Sequence, residues 1–171
     1  MDTSSGTVPT KDIHEHLVEL LDQQGATYRV VEHVPEGRTD VIAKIRGNRL
    51  EQAIKSMVVQ VRHRKSDNRY VLANVPGDCR VDFDAIKSQF GADSAAFAPR
   101  AKAEALAGCV IGSIPPFSFN DQLLVLADPA IQDNEEVVFN AGRLDRSIFM
   151  RMEDYIRIAK PQVMKIASRM P

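Results

Sequence analysis

Met57-Val58-Val59-Gln60-Val61, then Arg62-His63-Arg64-Lys65-Ser66-Asp67-Asn68, then Tyr70-Val71-Leu72-Ala73-Asn74-Val75 and Pro76-Gly77-Asp78 decide the fold. The two apolar runs are short, rich in β-branched residues and bounded by polar or turn-forming residues, so they read as strands. The charged stretch between them reads as a hairpin loop, and Pro76-Gly77-Asp78 as the turn that follows.

Working towards the N-terminus, Arg49 to Ile54 reads as a helical turn that delivers Lys55 to the first strand. Thr39-Asp40 opens a short helix, with Val41, Ile42 and Ile45 expected on one face and Gly47 as its stop. Tyr28-Arg29-Val30-Val31-Glu32-His33 reads as a strand. Before it, Ile13, Leu17, Leu20 and Leu21 recur at helical spacing, with Thr10 the expected cap and Gly25 the closure. Residues 1–9 are small and polar, and are expected to be a flexible tail ahead of one domain spanning 10–171.

Towards the C-terminus, Asp82 is expected to cap a helix through Phe90, closed at Gly91. A short strand near Ala95–Ala98 follows, then a helix between Pro99 and Gly108. Leu123–Ala127, Val137–Phe139 and Ser147–Arg151 read as strands, and Asp154–Ala159 as a last helix interrupted at Pro161. Helices and strands alternate without a regular βαβ rhythm. The expected class is α/β of the α+β type, with a central mixed, largely antiparallel sheet and flanking helices.

The chain has 171 residues, 44% hydrophobic and 26% charged, which excludes a wholly disordered chain. Lys plus Arg is 22 and Asp plus Glu is 23, for a net charge of -1. That excludes a nucleic-acid binder working by bulk positive charge, and no DNA partner is expected. No apolar run approaches the roughly 20 residues needed to cross a bilayer. No apolar leader is visible, so the expected compartment is the cytoplasm, with no membrane partner. The two cysteines, Cys79 and Cys109, form no CxxC pair, and no Cys/His cluster has zinc-ligand spacing, so neither a metal nor another cofactor is expected. There is no GxSxG, HExxH, P-loop or GxGxxG.

Four features carry possible chemistry. Lys55, where a helical turn meets a strand, can hold a phosphate or a carbonyl oxygen; the commonplace alternative is a solvated lysine at a helix end. His33 ends a strand and can serve as base or polar contact; half-buried structural histidines are commoner. Gly112-Ser113-Ile114-Pro115-Pro116 is a stiff loop whose backbone N–H groups can bind an oxyanion; otherwise it is a surface connection. The basic run Arg62-His63-Arg64-Lys65, with Lys160, Lys165 and Arg169, can touch an RNA backbone; a solubilising hairpin tip is the ordinary explanation.

In combination these features resemble a known family. Tyr28, Glu32-His33, Thr39, Lys55 with Ser56-Met57-Val58-Val59, Tyr70-Val71-Leu72-Ala73, Pro76-Gly77-Asp78, Gly108, Gly112 to Phe117, Asn140-Ala141-Gly142-Arg143 and Glu153-Asp154 fall in the order of a YbaK/ProX-type domain. These are trans-acting aminoacyl-tRNA deacylases related to the editing domain of bacterial prolyl-tRNA synthetases. The resemblance runs from about Tyr28 to Ala159. It implies hydrolysis of the ester of a mischarged tRNA, expected to be tRNA for proline, with a synthetase as a possible further partner and an unspecified oligomeric state.

The resemblance implies that Lys55 and Gly112 are catalytic, the lysine holding the acylated terminus and the glycine presenting backbone N–H groups to the ester carbonyl. It places Tyr28, His33, Thr39, Ser113, Pro116, Asn140 and Gly142 around the substrate. Water, aided by a ribose hydroxyl, is the implied nucleophile, although some members use a cysteine substrate's own thiol. The family loop reads Gly-Gly-x-Ser-Pro-Phe-Gly. Here Ser113, Pro115 and Ser118 replace its second glycine, its serine and its last glycine. Two other readings fit the same residues: a non-catalytic module binding tRNA or a synthetase, and a hydrolase of another small activated ester.

Overall fold

The computed structural model describes residues 11–170. The expected tail at 1–9 and the expected cap Thr10 lie outside them. Helix α1 (Ile13–Gln23) is capped by Asp12, whose carboxylate accepts from the Glu15 N–H while Glu15 accepts from the Asp12 N–H. This reciprocal box satisfies two otherwise orphaned donors and contributes about 1 kcal/mol. Leu17 and Leu21 are fully buried on the face that covers the first sheet.

Strand β1 (Tyr28–Glu32) follows, then α2 (Thr39–Arg46), which stops where Gly47 turns left-handed at φ 77°. The buried residues of α2 are Ile42 and Ala43, while Ile45 is exposed. The helix is therefore rotated from the expected Val41/Ile42/Ile45 face. A 3-10 turn at Leu50–Gln52 leads into β2 (Ile54–Arg62), so Lys55 already lies inside the strand. β3 (Arg69–Pro76) returns antiparallel, pairing Val75 with Lys55.

After β4 (Cys79–Val81) come α3 (Phe83–Phe90), β5 (Ser94–Phe97) and α4 (Arg100–Ala107). Asp82 caps α3 by accepting from the Ala85 N–H, and Gly91 and Gly108 close α3 and α4 in the left-handed region, as the residue types imply. Next come β6 (Leu123–Ala127), β7 (Glu136–Arg143), β8 (Arg146–Arg151) and α5 (Met152–Ala159). Lys160 then takes φ 50° ahead of Pro161, and two short strands, β9 (Gln162–Val163) and β10 (Ala167–Arg169), complete the described chain.

A mixed five-stranded sheet runs in the order β5-β2-β3-β6-β9. Its β5-β2-β3 part is antiparallel, while β6 and β9 join parallel. A separate antiparallel sheet, β1-β8-β7, lies against α1 and α5, and β10 pairs with β4. The class is thus α+β with a mixed, largely antiparallel arrangement. Val59, Val61, Val71 and Ala73 are fully buried, their side chains in the core shared with α3 and the C-terminal segment, and Val58 and Leu72 point to the opposite side, under α4. Burial on both faces explains why these strands read as continuous apolar runs rather than alternating ones.

The return of the C-terminus has one local cause. The buried Asp128 carboxylate accepts from the N–H groups of Ala130, Ile166 and Ala167, at 2.9, 2.9 and 2.8 Å. A carboxylate satisfied by backbone donors ties the start of β10 to the end of β6.

Candidate active site

The end of β2, the first turn and inner face of α2, the loop at Gly112 and the middle of β7 enclose a cavity of about 200 Å³. Its walls include Gly37, Thr39, Arg46, Lys55, Ser56, Gly112 and Asn140, with Ile42, Ile54, Met57, Ile111 and Ile114 as the apolar part. Among the described residues, the walls carry no carboxylate and no histidine.

Two cations face this space. Lys55 is half-buried, and its ammonium makes no ion pair or hydrogen bond among the described residues. Burial pushes its pKa below the ordinary lysine value, a shift opposed by the nearby Cys79, Asp78 and Asp40. Arg46 is largely desolvated, which pulls its pKa down to about 10 and leaves it charged at neutral pH. Its Nε donates to Asn48 Oδ1 at 3.0 Å, and one Nη donates to Asn140 Oδ1 at 3.3 Å and Ser147 Oγ at 3.0 Å.

Asn140 ties this corner together. Its amide donates to Gly112 O at 2.7 Å and Glu36 O at 3.1 Å, while its carbonyl oxygen accepts from Arg46. Gly112 sits at φ 92°, and a Cβ built there would stand 3.0 Å from Gly37 Cα, so the two loop backbones touch. In the Gly112 loop, the Ile111 N–H is held by Glu104 and the Ser113 N–H by Val110 O. The Gly112 N–H makes no hydrogen bond among the described residues.

The structure brings Lys55, Gly112, Thr39 and Asn140 together around the cavity. The other expected site residues do not line it. Tyr28 donates its hydroxyl to Asp22 Oδ1 at 2.6 Å, which fastens β1 to α1. Ser113 is fully buried and donates to Val110 O at 2.7 Å; Pro116 is buried as well. Gly142, at φ 84°, takes a position where a Cβ would stand 2.7 Å from the His14 nitrogen. His33 stands behind the wall: its Nδ1 donates to Val34 O at 2.8 Å, and its Nε2 lies 2.6 Å from Ser147 Oγ, which in turn meets Arg46 and Asn140.

The basic run does not join the site. Arg62 is seven residues along β2 from Lys55, about 23 Å at the usual strand rise of about 3.3 Å per residue. Lys165 and Arg169 line a different polar cavity with Asp78, Asp128 and Asp133. Burial raises the pKa of both Cys79 and Cys109, which keeps them as thiols and makes them poor nucleophiles.

Arg46 and Ser56 were not singled out by the sequence. An arginine in the last turn of a helix reads as a partner of the helix dipole. The available signal was spacing: Thr39, Ile42 and Arg46 stand at i, i+3 and i+7, one helical face. Ser56 Oγ is buried without a hydrogen-bond partner among the described residues and lies between this cavity and an adjoining apolar cleft formed by Met57, Phe97, Ile111 and Ile114, among others.

An arrangement of fixed donors without nucleophile or base suits hydrolysis of an already activated ester, in which positioning and oxyanion stabilisation do the chemistry. Residues 34–158 match the model of the aminoacyl-tRNA editing domain. The chain is 40% identical over 151 residues to the multifunctional Ser/Thr-tRNA deacylase ProXp-y of Escherichia coli K12, covering 88% of this chain and 90% of that protein. Among solved structures, the hypothetical protein APE2540 superposes with a TM-score of 0.79 at 17% identity, covering 89% of this chain and 99% of that one. A candidate trans-editing enzyme for prolyl-tRNA synthetase superposes at 0.77 with 21% identity, covering 94% and 99%; at such identities these two attest the fold. No helix among the described residues is long and apolar enough to cross a membrane. The chain belongs to the aminoacyl-tRNA editing domain family, of the YbaK/ProX type, and its chemistry is hydrolysis of the ester of an aminoacyl-tRNA.

Proposed function

We propose that the protein acts in trans on tRNA mischarged with a small hydroxylated amino acid, serine or threonine, and that Lys55 and Gly112 form its catalytic centre. The observation that carries this reading is a small cavity that, among the described residues, has two cations without an ion pair, an N–H without an acceptor and no carboxylate on its walls. Such a site favours an ester carbonyl that becomes an oxyanion. Lys55 would grip the acylated terminus, and the Gly112 N–H would point at the carbonyl oxygen.

Water is the nucleophile in this reading. Thr39 and Ser56 have no base among the described residues of the cavity, and burial raises the pKa of both thiols. Thr39, Ser56 and Asn140 offer polar contacts to a side-chain hydroxyl, and the relative acting on Ser/Thr-tRNA supports that choice. The adjoining cleft of Met57, Phe97 and Ile111 offers an apolar bed for the terminal base. The partners are then the mischarged tRNA and the synthetase that releases it, in the cytoplasm where translation runs.

The test is a panel of tRNAs, including tRNA for proline, each charged with serine, threonine, alanine or cysteine. The seryl and threonyl esters should be released fastest, by an order of magnitude or more over the spontaneous rate. Binding across the panel with no release would contradict the enzyme reading; preference for alanine or cysteine would contradict the specificity.

A further inference from the structure

We propose that Arg46 is a catalytic residue of this site, its free guanidinium nitrogen donating to the ester carbonyl oxygen as that oxygen becomes negative. The inference rests on the deacylase reading given above and adds a group to it.

Arg46 has five N–H donors in a rigid fork. Three acceptors occupy Nε and one Nη: Asn48, Asn140 and Ser147. All three are neutral, and Arg46 makes no ion pair among the described residues. The other Nη makes no hydrogen bond among them, and the residue lines the cavity.

A largely buried cation without a counter-ion is costly, and a carboxylate partner would relieve that cost. A carboxylate would also cancel the field that the guanidinium projects into the cavity. Neutral acceptors fix the orientation and leave the charge available to a ligand. The aminoacyl ester presents its carbonyl as an acceptor that gains charge in the transition state. Asn140 couples the two donors: it holds Arg46 through its carbonyl oxygen and Gly112 through its amide. The Gly112 N–H and the Arg46 Nη thus form a two-donor oxyanion site fixed by one side chain. In the step itself, water adds to the carbonyl carbon, the carbonyl electron pair moves to the oxygen held by these donors, and collapse breaks the bond to the ribose oxygen. The ribose oxygen takes up the proton released by the water, and the free amino acid departs.

The experiment compares wild type, Arg46→Gln and Arg46→Lys on seryl-tRNA, with kcat and KM measured separately and thermal melts as the folding control. Arg46→Gln should lose about 10²–10³-fold in kcat with KM within a few-fold, the range seen when one oxyanion donor is removed. Arg46→Lys, which keeps the charge, should recover at least ten-fold of that loss. Arg46→Ala should be partly rescued by added guanidinium ion. A folded Arg46→Gln with wild-type kcat, or with a loss confined to KM, overturns the proposal. So does failure of both Arg46→Gln and Arg46→Lys to fold, which would make the residue structural. Wild type inactive on every member of the panel would instead bring down the deacylase reading, and this inference with it.

Discussion

Lys55→Ala is expected to lower kcat/KM for the preferred aminoacyl-tRNA by about 10²–10³-fold while leaving the protein folded. The ammonium stands in the cavity without an ion-pair or hydrogen-bond partner among the described residues, so its removal deprives the substrate of a contact and leaves no protein group stranded. Stability should not fall. Burial depresses the Lys55 pKa, so the folded state binds this proton less tightly than the unfolded chain does. The charged form therefore opposes folding, and its contribution becomes less unfavourable as pH rises through the lowered folded value. Activity has the opposite dependence. A role that needs the ammonium is lost as pH rises through that value, so the alkaline limb of kcat/KM should lie below the ordinary lysine range of about 10.4. Lys55→Arg should carry the limb to higher pH. Single-turnover release of radiolabelled serine, corrected for spontaneous ester hydrolysis, reads both effects. Wild-type rates in Lys55→Ala would remove the lysine from the mechanism.

Gly112→Ala is expected to damage stability and activity together. At φ 92° a Cβ is strained whatever the space around it, and here it would also stand 3.0 Å from Gly37 Cα. The neighbour is backbone, so relief requires the 33–38 loop and the Gly112 loop to part. The cost is about 1–3 kcal/mol, or about 2–4 °C in Tm for each kcal/mol in a protein of this size. Parting the loops also moves the Gly112 N–H and its Asn140 bridge, so kcat should fall by at least ten-fold even where the protein is still folded. Thermal melts and single-turnover rates on the same preparation check it. An unchanged kcat in a folded variant would mean that the N–H of Gly112 is not used.

The hairpin of β2 and β3 was legible because its strands are buried on both faces and its loop is charged. The stops of α2, α3 and α4 were legible because Gly47, Gly91 and Gly108 all take the left-handed conformation that glycine supplies. The first cap was misplaced from Asp12 to Thr10 because both residue types cap helices, and the reciprocal bond from Glu15 decides between them. The two C-terminal strands left no local signal, since β9 exists by pairing with β6 and β10 is held by Asp128, both distant in sequence. The site shows the same division. Lys55 and Gly112 stand out by residue type and by resemblance to a family. Arg46 does not, because its meaning depends on Asn140 and Ser147 of β7 and β8, distant in sequence, replacing the carboxylate it would ordinarily seek. Tyr28 and Ser113 share the family pattern, yet neither lines this cavity; their hydroxyls donate to Asp22 and to the Val110 carbonyl.

The acylated terminus of a tRNA is expected to enter the cavity between Lys55, Arg46 and Gly112. The most direct measurement is an NMR titration of the labelled protein with adenosine carrying serine through a 3′-amide, which cannot be hydrolysed. Saturable shifts of the Gly37 and Gly112 amides and the Arg46 Nε–H are expected, with Ile111 and Met57 following. Shifts confined to the hairpin loop at 62–68, or to the polar cavity of Asp78, Lys165 and Arg169, would contradict it.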